Sequence, residues 1–253
     1  MILSVRDLCI GYDKCLVLED LGFCVEPGEM LTILGPNGVG KTTLLKCINR
    51  ILRPSKGAVM VEDADVFRMS AGEIAKRLGY VAQKSEAGRM TAFDAILLGR
   101  KPYLRWKVSD HDLIIVDAAI KRMGLSHLAL RHIDQMSGGE LQKVCIARSL
   151  VQNPTVMLLD EPTSSLDLKN QLEIMHTIRF VVKEHNIAAV MTMHDLNMAF
   201  RFTDKFLFLK QGRVYHHGVN SELKPEMVRE VYGVDVDIIM HAGQLVIVPR
   251  SDN

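Results

Sequence analysis

No stretch of this sequence has the roughly 20 consecutive apolar residues that a membrane-crossing helix requires, and runs such as Ile187–Met193 and Val156–Leu159 are far shorter. The N-terminus has no basic start followed by an apolar core, because Arg6 and Asp7 come directly after Met1–Val5, so no secretory signal is expected. Cysteine is scarce. The five present (Cys9, Cys15, Cys24, Cys47, Cys145) are odd in number and include no Cys-x-x-Cys pair, which suits a reducing cytosol and gives no zinc site. An excess of one charge is missing too, since 31 Lys plus Arg face 30 Asp plus Glu for a net charge of +1, which argues against nucleic acid as a partner. There is no repeat at a solenoid or propeller period and no low-complexity tract, so one compact unit is expected.

What is present is a 253-residue chain, 48% apolar and 24% charged, long enough to bury roughly 70–75% of its extended-chain surface. Residues 1–29 read as short strands (Ile2–Val5, Leu8–Tyr12, Phe23–Val25) broken at Gly22 and at Pro27-Gly28, which predicts antiparallel pairing. From Met30 onward apolar runs alternate with helical patterns. Met30–Leu34 precedes a helix from Lys41, Val156–Leu159 one from about Asp167, and Ala188–Thr192 one from Asp195, the pattern of a parallel sheet with crossover helices.

Between about Lys84 and Gln152 there is no buried-strand pattern, while Thr91–Gly99, Ser109–Met123 and Gly139–Gln152 have helical spacing. An inserted helical subdomain over about 84–152 is expected, with core residues about 1–83 and 153–253 on either side. Thr91 with Asp94, and Ser109 with Asp112, place a capping hydroxyl three residues before a carboxylate, and Gly124 stands where a helix C-terminal glycine belongs. Towards the end, Lys205–Leu209, the turn 210–213 and Val214-Tyr215 read as a hairpin. Ser221 is expected to cap a last helix reaching about Tyr232, leaving no room for an appended regulatory domain.

The sharpest local signal is Gly35-Pro36-Asn37-Gly38-Val39-Gly40-Lys41-Thr42-Thr43, a G-x-x-x-x-G-K-[ST] pattern after an apolar strand and before a helix. Its glycines let backbone N–H groups curl toward phosphate oxygens, and the following helix adds the positive end of its dipole. Lys41 would neutralise the β- and γ-phosphates of a bound nucleotide, and the Thr42 hydroxyl would bind Mg2+. Such a loop by itself serves kinases, GTPases, helicases and transport motors alike. A guanine-reading Asn-Lys-x-Asp is absent.

Met136-Ser137-Gly138-Gly139-Glu140-Leu141-Gln142 opens a helix with a hydroxyl and two bare glycine amides, a shape suited to an anion although Ser-Gly-Gly alone is more often a turn. Here the chain resembles the ATP-binding cassette (ABC) family, whose signature is usually Leu-Ser-Gly-Gly-Gln. Met136 keeps the apolar packing of Leu, and Glu140 is similar to the iron-siderophore, haem and cobalamin branch. Val156–Glu161 is an apolar strand ending in two carboxylates before Pro162 and resembles the Walker B motif, which implies that Asp160 holds Mg2+ and that the catalytic Glu161 polarises the attacking water. By position, Gln83 resembles the Q-loop glutamine that links γ-phosphate, Mg2+ and membrane partner, His194 the switch histidine at the γ-phosphate, Tyr12 the aromatic that stacks on adenine, and Ser165-Leu166-Asp167 the D-loop.

The series runs in family order over about residues 2–249. DNA-repair and chromosome-structure relatives insert a long coiled coil between the two halves, whereas Lys41 and Ser137 are only 137 − 41 = 96 residues apart here. The resemblance implies an α/β P-loop NTPase of the RecA-like type, with a parallel sheet core, an N-terminal antiparallel β subdomain and an inserted α-helical subdomain. It further implies a homodimer of ATPase subunits, peripheral on the cytoplasmic face of the membrane. Their partners would be a polytopic permease and, indirectly, an extracytoplasmic substrate-binding protein. Thr91–Leu104 and the ending Tyr232–Pro249 resemble importers of metal chelates. Molybdate or tungstate importers, other metal-ion importers and a soluble ABC clamp are the alternatives.

The stretch Gln83–Trp106 carries Phe93, Tyr103 and Trp106 among Arg89, Arg100, Lys101 and Arg105, and part of it is expected to be a permease-docking groove, the alternative being that the aromatics fill a core. His216-His217 look like a metal handle but read as surface residues of a hairpin, and the 14 methionines as core filler.

Overall fold

The computed structural model describes residues 1–12, 15–83, 88–104, 107–164 and 166–250, with only the backbone at Tyr12 and Cys15. The adenine-stacking expectation for Tyr12's side chain therefore lies outside the described residues, as do Ser165, Arg105 and Trp106.

A six-stranded sheet forms the centre, built from β3 (Met30–Leu34), β6 (Leu78–Val81), β7 (Val156–Asp160), β8 (Ala188–Thr192), β9 (Lys205–Lys210) and β10 (Arg213–Val219), in the order β10-β9-β3-β8-β7-β6. All neighbours are parallel except the β9–β10 hairpin. Strands β3, β7 and β8 are buried at every position because both faces are covered. Alternate residues serve two cores. Met30, Met157, Met191 and Phe206 face one with the helices α6 (Leu168–Glu184) and α7 (Leu196–Phe202), and Leu31, Leu158, Val190 and Leu207 the other with α1 (Lys41–Ile48). Eight buried methionines, among them Met30, Met157, Met175 and Met191, are core filler as expected.

The second core is closed by a four-stranded antiparallel sheet of β1 (Leu3–Tyr12), β2 (Cys15–Val25), β4 (Lys56–Val61) and β5 (Ala64–Asp65), in the order β2-β1-β4-β5. One expectation is corrected here. β2 runs unbroken through Gly22, where a break was expected, and β1 runs through Asp7 between the two short strands read there; register shifts, with left-handed residues at Asp7 and Asp20, absorb the irregularity without ending the ladder. The expected N-terminal antiparallel sheet is extended by β4 and β5, which return to it after the phosphate-loop helix.

Helix α2 (Ala71–Arg77) leads into β6, and between β6 and β7 come α3 (Ala92–Leu97), a 3-10 segment Leu98–Tyr103, α4 (Asp110–Arg122) and α5 (Gly138–Leu150). The Thr91/Asp94 and Ser109/Asp112 capping boxes both form, and Gly124 follows α4 at φ +67°. The last helix, α8, spans Pro225–Tyr232, not a segment opened by Ser221: Ser221 sits in a 3-10 turn, and Pro225 supplies the first helical residue because its missing N–H costs nothing there. A hairpin the sequence reading missed, β11 (Val236–His241) with β12 (Gln244–Pro249), turns through Ala242-Gly243 at positive φ and is tied to α7 by Asn197, which bonds both the N–H and the carbonyl of Ile247.

Candidate functional site

Four neighbouring strands, β3, β8, β7 and β6, end on one edge of the sheet, and each delivers one of the expected groups there. Carboxyl ends of parallel strands are where α/β sheets bind ligands. After β3 the chain turns through Gly35 (φ +149°), Gly38 (φ +77°) and Gly40 (φ +106°) into α1. A Cβ on Gly35 would stand 2.5 Å from the Leu209 carbonyl and one on Gly40 2.5 Å from Leu18, so only glycine lets the loop lie this close to β9 and β2.

Lys41 is 6% exposed, and its Nζ donates to the carbonyls of Gly35 (2.7 Å) and Pro36 (3.1 Å), which holds the ammonium across the loop. Burial lowers its pKa, opposed by the negative charges of Glu161 and Asp160. A cleft of about 180 Å³ opens beside it, lined by Val17, Asn37, Gly38, Lys41, Thr42 and Glu161 among others. A cleft of about 470 Å³ beside Arg50 and Arg148 is larger, but it lacks a nest of glycine amides, so chemistry rather than size selects the site.

Asp160, 1% exposed, accepts on Oδ1 from the hydroxyls of Thr42 (3.0 Å) and Thr192 (2.7 Å). Asp160 and Thr42 thus converge as hard oxygen donors, one of them anionic. That set fits Mg2+, which uses one or two carboxylates and keeps its other positions for water and phosphate oxygens. Glu161 follows in a left-handed conformation, φ +49°, unusual for this residue type and costing about 1 kcal/mol or more. Its carboxylate is held on both oxygens, accepting from Gln83 Nε2 at 2.6 Å on Oε2 and pairing with His194 Nε2 on Oε1. Gln83 therefore contacts Glu161 and makes no hydrogen bond to Thr42 or Asp160.

Ser137, Gly138, Gly139 and Glu140 open α5 elsewhere on the surface. Ser137 and Glu140 form a reciprocal capping box: Glu140 Oε2 accepts from the Ser137 N–H (2.8 Å) and hydroxyl (2.9 Å), which lowers the Glu140 pKa. Gly139 packs on Asn170, whose side chain is held by Asp167, the N-cap of α6. No described residue of 137–140 lines the phosphate-loop cleft.

The sequence reading missed Thr192, for which no local pattern exists. It also misjudged part of the docking stretch. Arg100 is 5% exposed, bonded to Asp112 Oδ1 (2.8 Å) and the Val151 carbonyl (2.7 Å) and stacked on the Tyr103 ring at 4.1 Å; Tyr103 in turn donates to the Gln152 carbonyl at 2.8 Å. Both are internal ties, and Phe93 is half-buried against the core. Of the histidine pair, His217 is exposed as expected, while His216 is half-buried beside Phe206 with ring centroids 5.8 Å apart. No group of three or more metal-binding side chains exists among the described residues.

A glycine-rich phosphate cradle with its lysine, facing a strand-end pair of carboxylates on a mainly parallel sheet, defines a P-loop NTPase. The comparisons narrow the class: the ABC transporter family matches residues 18–164, and the chain belongs to it. It is 49% identical over 249 residues to an uncharacterised ABC transporter ATP-binding protein of Methanocaldococcus jannaschii, covering 98% of each chain. It is 36% identical over 241 residues to the iron(3+)-hydroxamate import ATP-binding protein of Bacillus subtilis, covering 94% of this chain and 90% of that one. Among solved structures, a metal-chelate type ABC transporter in an inward-facing conformation matches with TM-score 0.85 and 28% identity over 99% of this chain and 98% of that one. A dimeric ATP-binding cassette in a post-hydrolysis state with ADP and phosphate matches at TM-score 0.78 and 27% identity, over 87% and 99%. The chain is an ATP-binding ABC ATPase. No helix among the described residues is long and apolar enough to cross a membrane.

Proposed function

We propose that this chain is the ATP-hydrolysing subunit of a membrane importer for metal chelates of the iron-siderophore, haem or cobalamin class. It works as a homodimer on the cytoplasmic face, against a polytopic permease fed by an extracytoplasmic binding protein. The observation that carries the catalytic part is the convergence of Lys41, Thr42, Gln83, Asp160, Glu161 and His194 at one sheet edge. The cargo class rests on relatives named for iron(3+)-hydroxamate, ferric enterobactin and cobalamin import.

In this reading Gly35–Thr43 wraps the phosphates with its amides, and Lys41 moves from its carbonyl partners to the β- and γ-oxygens. Thr42 and Asp160 would hold Mg2+, and Gln83, which now bonds Glu161, is the third residue within reach of that role. The ion supplies charge neutralisation at the phosphates. Freed from Gln83, Glu161 orients the attacking water, and His194 steadies both Glu161 and the γ-phosphate. The core comprises about 1–83 and 153–253 and the helical subdomain about 84–152, a division supported by α3–α5 lying in the chain between the paired strands β6 and β7.

The separation of Ser137–Glu140 from the phosphate cleft supports a second copy that brings its own signature to this nucleotide. Ser137→Arg should then retain ATP binding in the isolated subunit and abolish turnover, because a bulky cation replaces the hydroxyl at the α5 N-terminus. Hydrolysis at the parent rate in this variant would sink the sandwich.

For coupling, the exposed part of the expected stretch offers a cleft of about 550 Å³ lined by Arg89, Met90, Asp94, Leu97, Leu98 and Lys101 among others, an apolar floor with a charged rim of two basic groups and one acidic that fits a short permease helix. Arg89→Glu with Lys101→Glu should leave the isolated subunit folded and hydrolysing ATP while permease-stimulated hydrolysis and transport fall. Undiminished transport by a stably assembled double variant places the coupling surface elsewhere.

A further inference from the structure

Thr192 is the last residue of β8, wholly buried and paired in register with Asp160 of β7. Its one hydroxyl makes two bonds of opposite sense. It donates to Asp160 Oδ1 at 2.7 Å and accepts the Glu161 N–H at 2.9 Å. The second direction is fixed, because an amide N–H can only donate, and it leaves the hydroxyl proton free for the carboxylate oxygen. The same atom therefore shares with the Thr42 hydroxyl in orienting the Asp160 carboxylate, and it alone also secures the peptide at which the chain enters the left-handed turn of Glu161. We propose that Thr192 is a positioning residue for ATP hydrolysis, its hydroxyl tying the metal-side carboxylate to the peptide of the water-orienting one so that the two acids keep a fixed relation. The inference rests on the roles proposed above for Asp160 and Glu161.

The protein contains its own comparison. Thr32 on β3, next to β8 in the sheet, is also wholly buried, yet its hydroxyl has no partner. A buried threonine near this edge is therefore not bonded as a matter of course, and valine at position 32 removes an orphan polar atom without touching the acids. Valine at position 192 removes the tie at almost constant shape.

The test compares full-length Thr192→Val, Thr192→Ser and Thr32→Val with the parent in kcat, KM for ATP, ATP affinity with Mg2+ and with chelator, and thermal midpoint. With the tie lost, Thr192→Val should lose roughly 10- to 100-fold in kcat, the scale of a hydrogen bond to a charged group, while KM moves by less than about threefold. Its ATP affinity in chelator should match the parent, and the gain in affinity on adding Mg2+ should shrink. Thr192→Ser, which keeps the hydroxyl, should recover the parent kcat to within about threefold, and Thr32→Val should keep it. Parent-like turnover by Thr192→Val, or a serine variant as slow as the valine one, overturns the proposal. If valine prevents folding, Thr192→Ser against Thr192→Ala reads the hydroxyl alone: equal turnover overturns the proposal, and an active serine with a slow alanine supports it. Glu161→Gln is run alongside. Its inactivity together with a normal Thr192→Val discards the tie alone, whereas normal turnover by Glu161→Gln discards the underlying assignment.

Discussion

Glu161→Gln should cut ATP turnover by about two to four orders of magnitude, the usual contribution of a positioned general base, and leave ATP bound. Glutamine has the size of glutamate and can hold similar places beside Gln83 and His194, so the left-handed turn and the Thr192 bond to the residue-161 N–H remain. What disappears is the charge that orients water. With binding intact and release by hydrolysis blocked, the variant should accumulate as an ATP-bound dimer on gel filtration. Lys41→Ala is the contrast: it removes a buried ammonium aimed across the phosphate loop, so affinity and rate should fall together. Turnover at the parent rate by Glu161→Gln would show that another group orients the water.

Arg100→Glu should be the most damaging substitution to the fold. The guanidinium is 5% exposed and closes three internal contacts, with Asp112, the Val151 carbonyl and the Tyr103 ring. Asp112 is held down to about 2 by the Ser109 cap and the Arg100 guanidinium, so it stays ionised at neutral pH. A glutamate facing it would set two carboxylates together with no cation, and the unfolding midpoint should drop by on the order of 10 °C. A variant melting within a degree or two of the parent would mean that the pair contributes little. The same depressed pKa carries a sign. The stabilisation it gives is complete above the ordinary carboxylate pKa near 3.8 and is lost as pH falls toward about 2, so the pair should matter at neutral pH and fade only in strong acid.

The candidate nucleotide site was legible because its parts are local. Gly35–Thr43 is a loop whose glycines and lysine lie within nine consecutive residues, Asp160-Glu161 ends a single strand, and Thr91/Asp94 and Ser109/Asp112 are caps whose partners stand three positions apart. Such patterns state their own chemistry. The errors fall where local composition is ambiguous. Gly22 reads as a break but lies inside β2, because pairing with β1 outweighs a glycine's weak strand preference. Ser221 reads as a cap, but Pro225 four residues on sets the helix start. Arg100 reads as a basic rim because nothing within a few residues reveals that the Val151 carbonyl, 51 positions away, accepts its hydrogen bond.

From the sequence alone came the groups we assign to the reaction, their order and the strand-then-loop context of each, because a phosphate cradle and a strand-end carboxylate need only neighbours in the chain. Only the tertiary structure decided which of them meet. The order β3-β8-β7-β6 brings Gln83, Glu161 and His194 into one cluster, and the register Asp160↔Thr192 sets a plain threonine against two acids from 32 positions away. It likewise folded β4 and β5 back onto an N-terminal sheet and docked the β11–β12 hairpin on α7. Hydrogen-bond partners across strands are chosen by sheet order and register, and those are set by how the whole apolar pattern divides between the two cores.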